Sequence, residues 1–238
     1  MSGSGAKMRR AGVLGGMGPD ATLVFLEKFY ALTRGRVEQA RPALLVDIDP
    51  GVPDRNQAWR GSGPSPAAAI AQMGRSLEQA GADFCVMACI TAHGWVESFE
   101  KEAGIPLIGM PDVVADALQA GAGANGPVGL LATTTTIEMK LFQKAFAARN
   151  SLLLVPEEKE QEALMSAIYA IKKGEEARSS VLAVAKSLVA RGAQTVLIGC
   201  TDLSVLGPLH LWGCTVVDAL DLLAQRTLAE IEKVKADS

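Results

Sequence analysis

The stretch Val86-Met87-Ala88-Cys89-Ile90-Thr91-Ala92-His93 decides how this chain is read. Residues 84–88 are an apolar run with the length of a fully buried strand, and the run ends at a cysteine followed by a polar loop. Far downstream stands its echo, Val196-Leu197-Ile198-Gly199-Cys200-Thr201-Asp202-Leu203. Cys89 and Cys200 lie 111 residues apart. The same shift superposes Ser76-Leu77 on Ser187-Leu188 and Gly81-Ala82 on Gly192-Ala193. A helix tail, a Gly-Ala turn, a strand and a cysteine therefore recur in one order. The chain is two half-chains of one plan, each presenting a thiol where a strand gives way to a loop. In open α/β sheets ligands bind at that end of the strands.

Outward from these two points the remaining elements alternate. The first half reads as a strand at 11–14, a Gly15-Gly16-Met17-Gly18-Pro19-Asp20 turn, a helix at 21–33 and a strand at 43–48. A loop at 49–65, rich in Gly, Pro, Asp and Asn, leads to an Ala-rich helix at 66–80, the Cys89 strand, a short helix at 95–102 and a strand at 106–110. The helix at 112–119 and the Gly/Ala stretch 121–126 mark the crossing. The second half repeats with a strand at 128–132, four threonines from Thr133 to Thr136, a helix at 137–149 and a strand at 152–155. Helices at 158–172 and 175–190 precede the Cys200 strand at 195–199. A last strand at 216–218 and a helix at 220–233 close the chain. Strands alternating with helices predict an α/β fold with a parallel sheet in each half and helices on both faces. The expected division places 1–111 and 214–238 in a first lobe and 112–213 in a second.

With 238 residues, 49% hydrophobic and 21% charged, the chain has the material for a sizeable core. A net charge of −3 and a pI near 5.5 argue against a nucleic-acid partner, whose footprint is basic. No apolar run approaches the ~20 residues of a membrane span. Residues 1–7 read as a small polar tail without the character of an export signal. Four cysteines in such a chain predict free thiols and a cytoplasmic location. With only two histidines, a metal site is not expected.

Cys85 and Cys214 read as inert buried thiols. Cys89 and Cys200 read as chemical ones, since each ends a strand at the same point of the repeat. Two thiols across a cleft suit the removal of a proton from one face of a carbon and delivery of another to the opposite face. Such two-base transfer beside a carboxylate needs neither metal nor cofactor. The loops after both cysteines run toward helix starts, which is expected to lower a thiol's pKa. Gly12, Gly15, Gly16 and Gly18 do not have G-x-G-x-x-G spacing, and Asp47 and Asp49 lie too far on, so no dinucleotide site is expected. The turn reads instead as a place where backbone N–H groups hold a carboxylate. Arg55 in Pro53-Asp54-Arg55 offers a planar, two-pronged grip on a carboxylate. Lys172, alone, reads as a cation favoured at a helix C-terminus. Thr133 to Thr136 fits either a helix cap or a ligand contact. His93 reads as a structural residue orienting the Cys89 loop.

Taken in order, several motifs resemble the aspartate/glutamate racemase family, most closely its aspartate racemase branch. They are Gly15-Gly16-Met17-Gly18-Pro19, Pro53-Asp54-Arg55, Gly81-Ala82-Asp83-Phe84, Cys89 with Thr91-Ala92-His93, Leu130-Leu131-Ala132-Thr133-Thr134, Ile168-Tyr169 with Lys172, and Gly199-Cys200-Thr201. The resemblance spans nearly the whole chain from Met8. It implies two similar α/β lobes related by a pseudo-twofold axis, an active site in the cleft between them, no cofactor, and frequently a homodimer. It implies Cys89 and Cys200 as acid and base, and Thr91, Thr133 and Thr201, with the loop at Met17, as holders of the substrate's carboxylate or amino group. Arg55 and Lys172 resemble the pair that grips the distal carboxylate of aspartate. The implied activity is interconversion of L- and D-aspartate, with glutamate also within reach.

Two positions depart from the family pattern. Its first motif usually reads Cys-Asn-Thr, and here Ile90 replaces the asparagine; Thr135 replaces a glycine. Isoleucine offers no hydrogen bond, and a polar residue at 90 is expected to face the cleft. Two further readings therefore stand beside the racemase: an isomerase or decarboxylase of a small dicarboxylic acid, and a binding protein that turns over nothing.

Overall fold

The computed structural model describes residues 8–121, 126–148 and 152–233. The expected polar tail at 1–7 and most of the Gly/Ala crossing lie outside these residues, as does the end of the helix expected at 137–149. The first half runs β1 (Ala11–Gly15), α1 (Pro19–Ala31), β2 (Leu44–Ile48), α2 (Arg55–Trp59), α3 (Ala67–Gln79), β3 (Phe84–Met87), α4 (Val96–Glu102), β4 (Leu107–Ile108) and α5 (Met110–Ala120). The second runs β5 (Val128–Leu131), α6 (Thr134–Glu138), α7 (Leu141–Ala147), β6 (Leu153–Leu154), α8 (Glu158–Ile171), α9 (Arg178–Ala190), β7 (Thr195–Ile198), β8 (Thr215–Asp218) and α10 (Ala219–Ile231). The strands form two parallel four-stranded sheets, ordered β2-β1-β3-β4 and β6-β5-β7-β8. The expected pair of similar lobes is present.

The repeat extends to register and packing. Ala11 stands beside Phe84 in the first sheet as Val128 stands beside Thr195 in the second. A Cβ on Gly12 would press on Leu77 and Ala82 at 3.1 and 3.2 Å; one on Gly129 would press on Leu188 and Ala193 at 3.0 and 3.1 Å. Those partners are related by the same 111-residue shift as the cysteines. Each glycine lets one helix and its following turn close on the central strand.

Strand alternation sorts the side chains. Val13, Phe84 and Val86 of the first sheet and Val128, Leu130 and Leu197 of the second enter one shared cluster with α1, α5, α7 and α10. Leu14, Cys85 and Met87 point the other way, under α3, and Val196 and Ile198 point under α8 and α9. Five of the six phenylalanines lie in the shared cluster, so the lobes are joined by core rather than by a surface contact. At roughly 2–3 kcal/mol for each fully buried aromatic side chain, those rings hold the cleft's two walls in fixed relation.

Three expectations need correction. The last strand does not return to the first lobe: β8 pairs with β7 in the second sheet. Only α10 crosses back, packing on α1 and α5 and tied there by Lys28, whose Nζ lies 3.2 Å from Asp218 and 2.7 Å from Asp221. The loop at 49–65 contains α2, a five-residue helix capped by Asp54, which accepts from the N–H groups of Asn56 and Gln57 at 2.8 and 2.9 Å. The helix expected from 137 starts earlier, at Thr134, and breaks at Lys140, whose φ of 57° is left-handed. Ending α6 there sets Met139 against Gly94 of the first lobe, where any side chain would collide with its thioether. Among the described residues no helix is long and apolar enough to cross a membrane.

Candidate active site

Cys89 and Cys200 each stand two residues beyond a strand end, β3 and β7, with a turn of 3₁₀ helix following, Thr91–Trp95 in the first lobe and Thr201–Leu206 in the second. Both thiols are free and buried, and both line a single narrow cavity between the lobes, of about 10 Å³. The other six residues singled out in the sequence, Met17, Arg55, Thr91, Thr133, Lys172 and Thr201, line the same cavity. Three more border it that the sequence did not single out as contacts: Asn56, Asp202 and the apolar Ile90. Arg55, Lys172 and Asp202 also border an outer chamber bounded by the Gly16–Pro19 turn. They form the neck between cavity and outside.

The first lobe's loops are bound together by Arg55, which is 7% exposed. Its Nη1 donates to the carbonyls of Val52 and Pro53 at 3.1 and 2.9 Å, and its Nη2 to that of Met17 at 3.1 Å. Three of its five N–H donors thus hold backbone, which leaves two for an occupant. The Gly16–Gly18 turn allows this closeness. Gly16 has a φ of +87° and rests on the Asp49 backbone, so a side chain there has no space.

Across the cavity, hydroxyls join the lobes. Thr91, Thr133 and Thr136 form a buried triangle with each Oγ1–Oγ1 distance 3.0 Å. Thr133 also caps α6 by accepting from the Thr136 N–H at 3.1 Å. Thr201 donates to the carbonyl of Ala88 at 3.1 Å, one residue before Cys89. Their donors are committed to each other and to backbone, so an occupant that takes a hydrogen bond from Thr91 or Thr133 must open the triangle.

His93 is buried and holds the Cys89 turn from below. Its Nδ1 faces the carbonyls of Cys89 and Ile90 at 2.9 and 3.2 Å, and its Nε2 accepts from the Met110 N–H at 3.1 Å. That pattern requires a proton on Nδ1 and none on Nε2, a neutral ring. Burial lowers its pKa and keeps it so. The structural role expected of His93 matches these contacts.

The Cys200 side carries charge. Lys172 Nζ lies 2.9 Å from Asp202 Oδ2, and Cys200 Sγ donates to the same oxygen at 3.8 Å. Burial acts to lower Lys172, but Asp202 outweighs it and the net shift is upward, so the ammonium stays charged. Cys200 is driven well above the ordinary thiol range by burial first and Asp202 second, against the opposing pull of Lys172. The expected lowering by a helix start is therefore overturned for Cys200, which is a thiol at neutral pH. Ile90 also corrects an expectation. It is 2% exposed and packs in the shared core while bordering the cavity, so a polar side chain there meets core as well as cleft.

Asp202 had a signal in the sequence. It stands at the place in the repeat where the first lobe has Thr91, a charge in an otherwise apolar echo. Asn56 had a weaker one, its position directly behind the Asp54 cap and Arg55. Its Nδ2 donates to the Tyr169 hydroxyl of α8 at 3.3 Å, and its Oδ1 is buried with no partner.

Matched parallel sheets with a thiol at the same point of each define a duplicated α/β protein with its site between the lobes. Residues 14–227 match the Asp/Glu/hydantoin racemase family, and the chain belongs to that family. The structure is similar to that of an aspartate racemase from Picrophilus torridus, with a TM-score of 0.83 and 27% identity over 94% of each chain. An aspartate racemase homologue from Pyrococcus horikoshii shares the fold, with a TM-score of 0.74, 21% identity, and 95% of this chain and all of that one covered. A glutamate racemase from Corynebacterium diphtheriae is 27% identical over 155 residues, which is 60% of this chain and 56% of that protein.

Proposed function

We propose that this chain is a cofactor-independent amino-acid racemase that interconverts L- and D-aspartate by two-base proton transfer between Cys89 and Cys200. The observation that carries the reading is one cavity with a thiol from each lobe in its walls and two cations, Arg55 and Lys172, at its neck. The cations supply recognition of a carboxylate, and the thiols supply the chemistry at the adjacent carbon. For one direction Cys200 is assigned the acid and Cys89 the base, and for the other the roles exchange. Removal of the Cα proton by Cys89 and delivery of the Cys200 proton to the opposite face invert the carbon. The enzyme is left with the two protonation states exchanged, ready for the reverse direction. The similarity to the Picrophilus aspartate racemase supports aspartate over longer substrates. The reading includes a cytoplasmic homodimer, and light scattering tests the dimer.

The deciding experiment is a chiral assay across aspartate and glutamate without added cofactor, run in heavy water. Racemisation with deuterium entering Cα is expected for aspartate. No exchange with either amino acid overturns the reading and leaves a binding protein. The apolar Ile90 wall is the feature that favours a dicarboxylic acid outside the amino acids; turnover of such an acid, with aspartate inert, establishes that alternative.

A further inference from the structure

The two-thiol reading gives Cys200 a task and leaves Asp202 without one. A carboxylate is an unexpected wall for a site that recognises carboxylates, because it cancels part of the charge that attracts them. It is also buried, with its side chain only 9% exposed, and its Oδ2 is engaged by Lys172 at 2.9 Å and by the Cys200 thiol at 3.8 Å. Among the described residues no hydrogen bond reaches its Oδ1. Gly18 faces that oxygen: a Cβ at position 18 would lie 2.9 Å from it and obstruct its approach from the turn. Asn56, another residue of the cavity wall, has its Oδ1 buried with no partner. The cavity wall is thus short of a donor at Asp202 Oδ1, a demand that an ammonium group meets and a carboxylate does not.

We propose that Asp202 receives the substrate's α-ammonium group and so makes the site select amino acids over dicarboxylic acids that lack nitrogen. The inference rests on the racemase reading and specifies its substrate class. Its geometry follows from the chemistry. A carbon that exchanges a proton with Cys200 Sγ carries its ammonium one bond away, which brings the nitrogen to the carboxylate beside that sulfur. The distal carboxylate of aspartate is a further bond removed from Cα and free to reach the neck. Charge agrees with this division. The ionised side chains of the inner cavity are Arg55, Lys172 and Asp202, one net positive charge, and aspartate brings one net negative charge. Succinate, which is aspartate without the amino group, brings two negative charges and sets one of them against Asp202.

The test is calorimetric titration of the full chain with racemic aspartate, whose composition turnover does not change, and with succinate. The wild type is expected to prefer aspartate by at least tenfold. Asp202→Asn keeps the shape and removes the charge, and is expected to weaken aspartate by tenfold or more while tightening succinate, so that the preference collapses or inverts. Equal changes for both ligands, or an unchanged ratio, overturn the assignment. Circular dichroism melts establish that Asp202→Asn is folded. Should it not fold, the wild type still decides, because succinate bound as tightly as aspartate overturns the proposal alone. Deuterium exchange at Cα separates the two readings. A strong, Asp202-dependent preference for aspartate without exchange sinks the racemase and keeps the ammonium site, whereas exchange with an unchanged ratio does the reverse.

Discussion

The turn after Cys89 and the turn after Cys200 follow matched strands and differ in the side chains they set beside the thiol. Both follow strands related by 111 residues and both coil into 3₁₀ helix. At the first position beyond the thiol the first lobe has Ile90 and the second Thr201; at the next it has Thr91 and the second Asp202. One thiol is therefore backed by a hydroxyl triangle and a neutral His93, the other by an ion pair of Asp202 and Lys172. Duplication of the backbone supplies two thiols at equivalent points. Divergence of a few side chains gives the second thiol a charged neighbour pair, Asp202 and Lys172, that the first lobe does not repeat at Thr91.

The largest effect tests whether the turns are functional counterparts at all. Cys89→Ala and Cys200→Ala are each expected to lower aspartate racemisation about 10³-fold, within the range for loss of a general acid or base. Chiral chromatography measures it. In heavy water each variant is also expected to wash out the Cα proton of one enantiomer only, and of opposite enantiomers in the two cases. Racemisation that survives either replacement breaks the equivalence.

A second comparison concerns how each lobe ties down the loop after its first strand. Arg55 holds the Met17 carbonyl in the first lobe. In the second, Gln161 of α8 donates to the Ala132 carbonyl at 3.0 Å and to the Thr134 hydroxyl at 3.1 Å. Arg55→Ala strands three carbonyls and is expected to cost about 3 kcal/mol, a fall in Tm of roughly 6–12 °C for a chain of this size. Gln161→Ala removes two neutral bonds and is expected to cost about 1 kcal/mol. Urea unfolding measures both, and equal costs would mean that the Arg55 charge adds nothing to its loop.

Much of this was legible because short buried strands announce themselves. The runs ending at Cys89 and Cys200 are continuous, apolar and bounded by Gly-Ala turns, and a fixed shift between them needs no structure to detect. α2 escaped because five residues are too few to show a 3.6-residue period; Asp54, its cap, was the only mark. The break at Lys140 escaped because the contact it accompanies, Met139 against Gly94 in the other lobe, is one no local pattern encodes. β8 was misplaced for a related reason. A strand carries no label for its sheet, and α10, which does return to the first lobe, follows it directly. The charge of Asp202 was visible, but its bond to Lys172 joins residues thirty apart through the fold.

A smaller difference sits beneath the two strands. Cys85 of the first lobe occupies the place of Val196 in the second. Burial pushes the Cys85 thiol up to about 12, whereas an unfolded chain ionises it near ~8.5. Between those values the folded state holds more protons than the unfolded one. Stability is therefore complete below the unfolded pKa and falls as pH rises, by up to about 1.4 kcal/mol per pH unit for one such thiol. Cys200 contributes in the same sense. Cys85→Ala is expected to shallow the decline between pH 9 and 10 by about half of the two-thiol slope. An unaltered slope in urea titrations across that interval would place the loss elsewhere.

The finest comparison sets the two hydroxyl ties between the lobes against each other. Thr201 reaches the Ala88 carbonyl in the first lobe, and Thr91 reaches Thr133 and Thr136 in the second. Counted by bonds, Thr91→Val removes two and Thr201→Val one. The expected order is the opposite. When Thr91 is lost, Thr133 and Thr136 still bond each other at 3.0 Å, and a hydroxyl can rotate to satisfy what remains. The Ala88 carbonyl is fixed by the strand and cannot turn toward another donor. An orphaned buried group costs about 1–3 kcal/mol, against about 0.5–1.5 kcal/mol for a bond whose partners find each other again. Thr201→Val is thus expected to be the more destabilising by roughly 1 kcal/mol, a fall in Tm larger by about 2–4 °C. The reverse order in matched thermal melts would mean that the three hydroxyls act as one cooperative unit, and that the lobes are held more by that triangle than by the strand-end bond beside Cys89.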